Sequence, residues 1–276
     1  MRGVTARSTA SGSIAKSGGV RANERISAAY LGATVRAFAR KAPDFAIDPE
    51  AVEQAVTSRT RLILITNLHN PTSNLTDTAV LREIGAIAER AGAHVLVDEV
   101  YLDSAMPAQG TAALLVERFV VTSSLTKCYG LSGIRCGWII AAPELAERIW
   151  RLNELFGVAQ AHAAERLSCL ALERLGEVGA GVSALLARNR ALANAFFAAR
   201  NDLECAPMIG GITAFPRLLR GDVDRLNALL REDYDTSIVP GHFFGAPDRF
   251  RIGIGSSTEI VEAGLDRLGT ALDMLR

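Results

Sequence analysis

From about Tyr30 onward, short apolar runs alternate with longer stretches of helical periodicity, and this alternation most narrows what the chain can fold into. Leu62-Ile63-Leu64-Ile65-Thr66, His94-Val95-Leu96-Val97-Asp98 and Phe119-Val120-Val121-Thr122 are short and rich in branched residues, so each reads as a buried strand. Between the first two, residues 76–91 repeat Leu81, Ile84, Ile87 and Ala88 at helical spacing and close on Gly92, an amphipathic helix with a glycine stop. Such strand and helix alternation builds a parallel sheet with helices against it. Residues 34–39 read as a further strand and residues 137–141 as an antiparallel edge strand, while Asp48-Pro49-Glu50 opens a short helix.

Beyond Pro143 the pattern turns helical over residues 144–156, 159–175 and 182–200, the last long enough to bridge two domains. Past Pro207, strands are expected at 210–215 and 250–254 and helices at 224–232 and 258–275, a smaller α+β unit. The expected fold is therefore α/β: a mainly parallel sheet sandwiched by helices in a large domain of residues 29–190, followed by a small C-terminal domain of residues 191–276. Residues 1–28 hold Arg, Ser, Ala and Gly with no acid before Glu24, and read as a disordered leader or a start foreign to the folded domain. Organellar transit peptides share that composition.

The formal charge is zero and the pI near 6.9, so no electrostatic footprint points to nucleic acid. No apolar run reaches the roughly 18 residues that span a bilayer, and no signal-peptide core is present, so no membrane partner and a cytoplasmic location are expected. Cys128, Cys136, Cys169 and Cys205 form no C-x-x-C pair and read as reduced thiols. The four histidines, His69, His94, His162 and His242, lack metal-ligand spacing.

Ligands of an open parallel sheet lie beyond the carboxyl ends of its strands. Three such ends here carry Thr66-Asn67-Leu68-His69-Asn70-Pro71-Thr72, Asp98-Glu99-Val100-Tyr101 and Ser123-Ser124-Leu125-Thr126-Lys127, with Arg135 eight residues on. Lysine is otherwise found only at positions 16 and 41 in this arginine-rich chain. A primary amine forms a Schiff base and a guanidinium does not, so Lys127 is a candidate nucleophile as well as an ordinary solvated lysine. Asp98 and Glu99 after an apolar strand also suit a magnesium site in a nucleotide hydrolase, but the Gly-x-x-x-x-Gly-Lys-Ser/Thr loop of that chemistry is missing from the sequence.

Asn-Pro-Thr, Asp-Glu-Val-Tyr and Ser-x-x-Lys followed by arginine, in this order after successive strands, resemble the class I/II aminotransferases, the pyridoxal-phosphate enzymes of the aspartate aminotransferase fold. The resemblance runs from about Tyr30 to the C-terminus. It implies pyridoxal 5'-phosphate as cofactor, joined as a Schiff base to Lys127, which then moves a proton at the substrate α-carbon. It implies Asp98 against the pyridine nitrogen, Asn70 and Tyr101 at the ring hydroxyl, Ser124 and Arg135 on the phosphate, and Arg251 on the substrate α-carboxylate. A homodimer acting on an amino acid and a 2-oxo acid follows from the same resemblance.

The family's Ser/Gly-rich phosphate loop and its ring-stacking aromatic have no match in residues 1–28, where Thr9-Ala10-Ser11-Gly12-Ser13 shares only the composition of such a loop. Loss of those elements is expected to leave apolar faces uncovered. Ser73 stands where many relatives carry glycine. Two other readings stay open: a different pyridoxal-phosphate reaction such as β-elimination, decarboxylation or a synthase step, and an inactive remnant.

Overall fold

The computed structural model describes residues 13–17 and 30–275. Its main sheet consists of β1 (Ser13–Ser17), β2 (Thr34–Phe38), β3 (Thr60–Thr66), β4 (His94–Asp98), β5 (Phe119–Ser124) and β6 (Gly137–Ile140), in the spatial order β2-β1-β3-β4-β5-β6. All neighbours are parallel except β5 and β6, which pair antiparallel at one edge. The mainly parallel α/β sheet expected from the sequence is therefore present.

One strand overturns an expectation. Residues 13–17, read as leader, lie inside the sheet between β2 and β3, with Ala15 fully buried and the Ser13 hydroxyl 3.0 Å from that of Thr60. The run Ser-Ile-Ala-Lys-Ser is nearly featureless alone; pairing on both sides supplies the order that its own propensity does not. The rest of the expected leader, including most of the Thr9–Ser13 stretch, lies outside the described residues.

Helices α1 (Pro49–Ala55) and α2 (Thr78–Ala91) begin at Asp48 and Asp77, whose carboxylates accept from the backbone N–H of Glu50 at 3.0 Å and Ala79 at 2.6 Å. Gly92 ends α2 at φ +63°, as its sequence position predicted. Val52, Ala55, Leu81, Ile84 and Ala88 from these helices pack with Ile63, Ile65, Val95 and Val97 on one face of the sheet. Leu62, Leu64 and Leu96, on the other face, are only half-buried.

Helices α3 (Pro143–Gly157), α4 (His162–Glu173) and α5 (Leu175–Ala198) follow. A second core gathers Ala193 and Phe197 of α5 with residues of β7 (Leu203–Glu204), β8 (Thr213–Ala214), β9 (Arg217–Leu218), α6 (Val223–Asp233), β11 (Phe250–Gly253) and α7 (Thr258–Met274), and with Ile238, which precedes β10 (Val239–Pro240), the antiparallel neighbour of β11. The strand expected at 210–215 shrinks to the two residues of β8, because only Thr213 and Ala214 find partners on β11. Asn189, fully buried in α5, donates at 2.9 Å to the carbonyls of Ile254 and Ser256 and ties that helix to the segment after β11.

Glu99, directly after β4, is 3% exposed and accepts from Ala112 N–H at 2.7 Å, which pins the short helical turn Ala112–Leu114. Desolvation raises its pKa above the usual 4.5, the Ala112 N–H and Thr111 hydroxyl oppose that, and nearby Asp103 and Asp98 add to the rise. The folded state therefore holds the proton to higher pH than the unfolded chain, so this group's contribution to stability falls as pH rises from about 4.5 through the raised value. Glu99→Gln keeps an acceptor for Ala112 and is expected to flatten that slope and raise the denaturation midpoint at pH 7; a variant with the parent's pH–stability profile contradicts the assignment.

Candidate active site

The three parallel strands β3, β4 and β5 pair with Thr66 opposite Asp98 and Asp98 opposite Thr122. Their carboxyl ends thus coincide, and the three following loops leave one edge of the sheet. The first loop is held by its own backbone: Asn67 N–H donates to Asp98 O at 2.9 Å, Ser73 N–H to His69 O at 2.7 Å, and His69 N–H to Asn74 O at 2.8 Å. Asn70 N–H adds a bond to the Thr66 hydroxyl at 3.2 Å, and the His69 ring pairs with Thr72 at 2.8 Å. His69 is thereby a turn residue, in line with the sequence.

The Asn70 amide oxygen accepts from Arg251 Nη1 at 2.8 Å, across 181 residues. A guanidinium only donates, so the amide must present its oxygen to Arg251 and turn its nitrogen away. Arg251, on β11, also lies with its guanidinium carbon 5.3 Å from the Phe244 ring centroid. Asp98 is half-buried and accepts from Val100 N–H at 3.2 Å. Tyr101 is half-buried against the small cluster of Leu68, Leu102 and Ala105.

The third loop carries two adjacent hydroxyls, Ser124 and Thr126, 2.6 Å apart, and Thr126 N–H also donates to Ser124 Oγ at 3.3 Å. Fully buried Leu125 anchors the loop, and its carbonyl accepts from Leu131 N–H at 3.0 Å, so Lys127 projects from a closed turn. Lys127 is exposed, and among the described residues its amine has no hydrogen-bond or ion-pair partner. Ser124 pairs with Gly137 across the β5–β6 ladder, which brings Arg135, two residues earlier, to the same end. A Cβ on Gly137 would sit 3.1 Å from Ser123 O, so a glycine lets the ladder close. Arg135 is exposed in the left-handed region at φ +53°, with Nη1 donating to Ser132 O at 3.3 Å.

All seven residues expected from the sequence therefore cluster at or beside one sheet edge: Asn70, Asp98, Tyr101, Ser124, Lys127 and Arg135 through strand ends, and Arg251 through its bond to Asn70. Glu99 does not join them, since burial against Ala112 engages its carboxylate elsewhere. Sequence reading places Thr66, Ser73, Thr126 and Thr213 without giving them a role, and leaves Phe244 unread. Thr126 was open to view inside Ser-x-x-Lys; Phe244 and Thr213 carry no spacing signal. Among the described residues no group of His, Cys, Asp or Glu is arranged to hold a metal.

The donor set suits a phosphorylated pyridine aldehyde. Lys127 offers an amine with no competing partner among the described residues, Ser124, Thr126 and Arg135 offer donors to an anion, and Asp98 offers a carboxylate to a protonated ring nitrogen.

The chain has relatives by sequence and by fold. It is 28% identical over 252 residues to the capreomycidine synthase of Streptomyces vinaceus, covering 88% of this chain and 65% of that protein. It is 33% identical over 166 residues to the aromatic amino acid aminotransferase of Mycolicibacterium paratuberculosis, covering 58% of this chain and 46% of that one. The chain thus spans less than two thirds of these curated relatives. A PLP-dependent aminotransferase from Streptococcus suis superposes with a TM-score of 0.90 at 22% identity, over 96% of this chain and 72% of that structure, which shows a shared fold. Pyridoxal phosphate is the cofactor of this family. The model of the aminotransferases of class I and II matches residues 24–268, and with the strand-end residues in place the chain belongs to that family.

Proposed function

We propose that this chain carries the site of an aminotransferase that moves an amino group between an amino acid and a 2-oxo acid, with Lys127 joined to the cofactor. The observation that carries the reading is the delivery of Asn70, Asp98, Tyr101, Ser124 and Lys127 to one sheet edge by three strands in register, with Arg251 held against Asn70.

Pyridoxal phosphate, when bound, supplies an electron-withdrawing ring that stabilises negative charge at the substrate α-carbon. In this reading Asp98 holds the proton on the ring nitrogen through its carboxylate. The amide nitrogen of Asn70 and the phenol of Tyr101 orient the ring hydroxyl oxygen, and Ser124 and Arg135 fix the phosphate. Arg251 would receive the substrate α-carboxylate, which places the α-carbon toward Lys127, and the Lys127 amine, released from the cofactor when the substrate amine takes its place, would take the α-proton.

The relative named capreomycidine synthase favours a second reading, in which the same residues serve another reaction of the cofactor. An inactive remnant is the third. The proposal includes a homodimer: α3 and α4 bury no residue among those described, and Trp150, Leu155, Phe156 and Val158 are 63–77% exposed, apolar side chains that a second copy would cover. The division at residues 190/191 into a cofactor domain and a small domain belongs to the same reading. So does a cytoplasmic setting, which four free cysteines support.

Cofactor-loaded protein given an amino acid is expected to release a stoichiometric 2-oxo acid without ammonia, and Lys127→Ala to lower that turnover by about 10³-fold or more. Ammonia release contradicts transamination and favours the second reading. Arg251→Met removes a charge-assisted bond and is expected to raise KM for the amino acid by about 10–100-fold with a smaller effect on kcat. An unchanged KM contradicts the carboxylate assignment.

A further inference from the structure

Ser73 occupies the left-handed region at φ +60°, a conformation that disfavours any side chain. Its hydroxyl donates to Thr213 O at 2.8 Å, accepts from Thr213 N–H at 3.2 Å and lies 2.9 Å from Thr213 Oγ1. Thr213 Oγ1 in turn donates to Pro71 O at 2.9 Å. Two hydroxyl protons and one amide proton therefore serve the whole set: the Thr213 hydroxyl proton goes to Pro71, and the Ser73 proton goes to the Thr213 carbonyl or hydroxyl.

These bonds join two parts of the candidate site. Pro71 follows Asn70 directly. Thr213 pairs with Gly253 across the β8–β11 ladder, two residues from Arg251. Arg251 bonds back to Asn70 at 2.8 Å, so the contacts close a ring: Asn70, Pro71, Thr213, β11, Arg251 and Asn70 again. The ring has little slack at residue 211. A Cβ on Gly211 would fall 2.2 Å from Ser73 Cβ, and Gly211 is held by its N–H to Ser104 O at 2.8 Å and by Arg190 to its carbonyl at 3.3 Å. Ser73 fits because residue 211 lacks a side chain.

We propose that Ser73 is a positioning residue: its hydroxyl, together with that of Thr213, sets the spacing between the turn that carries Asn70 and the strand that carries Arg251. The inference rests on the reading of those two residues as cofactor and substrate contacts. Glycine at position 73 would relieve the backbone and provide no bond across to Thr213, so in this chain a hydroxyl stitch stands in place of an unstrained turn.

The test uses cofactor-loaded protein carrying Ser73→Gly, Ser73→Ala, Thr213→Val, or Ser73→Gly with Thr213→Val. Alanine keeps Cβ and removes only the hydroxyl, whereas glycine also relieves the backbone, so the two together separate the bond from the strain. Each single variant is expected to raise KM for the amino acid about 10-fold, with kcat within about twofold and borohydride labelling of Lys127 unaltered. The double variant is expected to be no worse than the worse single one, because both changes break one unit. An unchanged KM in Ser73→Gly, or equal losses in kcat, KM and labelling, overturns the proposal.

If the parent chain itself shows no label at Lys127, the functional reading fails, and the stitch is judged by hydrogen exchange. Exchange at the Thr213 amide about 10-fold faster in Ser73→Gly than in the parent, with Val97 unchanged, supports it. Equal exchange at Thr213 overturns it.

Discussion

The structure depends on the in-register parallel pairing of β3, β4 and β5. Thr66, Asp98 and Thr122 stand level, so everything that follows them emerges at one edge. A slip of one residue in any of the three would turn its inward side chains to the opposite face, removing Ile63 and Ile65, or Val95 and Val97, from the core they share. Burial of those residues therefore fixes where the polar loops point. At about 25 cal/mol per Å² of apolar area removed from water, four such side chains contribute several kcal/mol, far more than any hydrogen bond in the loops. The core aims the site, and the loops then refine it.

The refinement comes from the second core. Arg251 reaches Asn70 from a strand packed between Ala214 and Val239, on the far side of α5 in sequence, and the Thr213 contacts with Ser73 and Pro71 hold that approach. A candidate substrate anchor and a candidate cofactor contact are therefore one hydrogen-bonded unit. Among the described residues, Trp150, Leu152, Leu155 and Phe156 of α3 and Leu167 of α4 are exposed, and the leucines on one face of the sheet are half-buried.

Much of this was legible in the sequence, for reasons that differ by residue. Asn70, Asp98 and Lys127 follow apolar runs that pair in register, so strand and motif reading agreed on one location. Gly92 closes α2 through a left-handed backbone, which needs no tertiary knowledge, whereas the start expected at residue 76 falls at Thr78, where Asp77 caps the helix. Residues 13–17 were illegible because their order comes from two neighbouring strands, not from Ser-Ile-Ala-Lys-Ser itself. Ser73 was visible only as a departure from a pattern; its partner Thr213 lies 140 residues away, and nothing local announces the bond. Glu99 shows the reverse: next to Asp98 it suited a magnesium site, and burial directs it to the Ala112 backbone instead.

The most direct test of the account is the visible absorption of the purified chain with added pyridoxal phosphate, before and after borohydride reduction, with the modified residue located by peptide mass. A site assembled on these strand ends gives a reducible band whose label maps to Lys127, the lysine that follows β5. Absence of a band, or label distributed over Lys16 and Lys41, contradicts it.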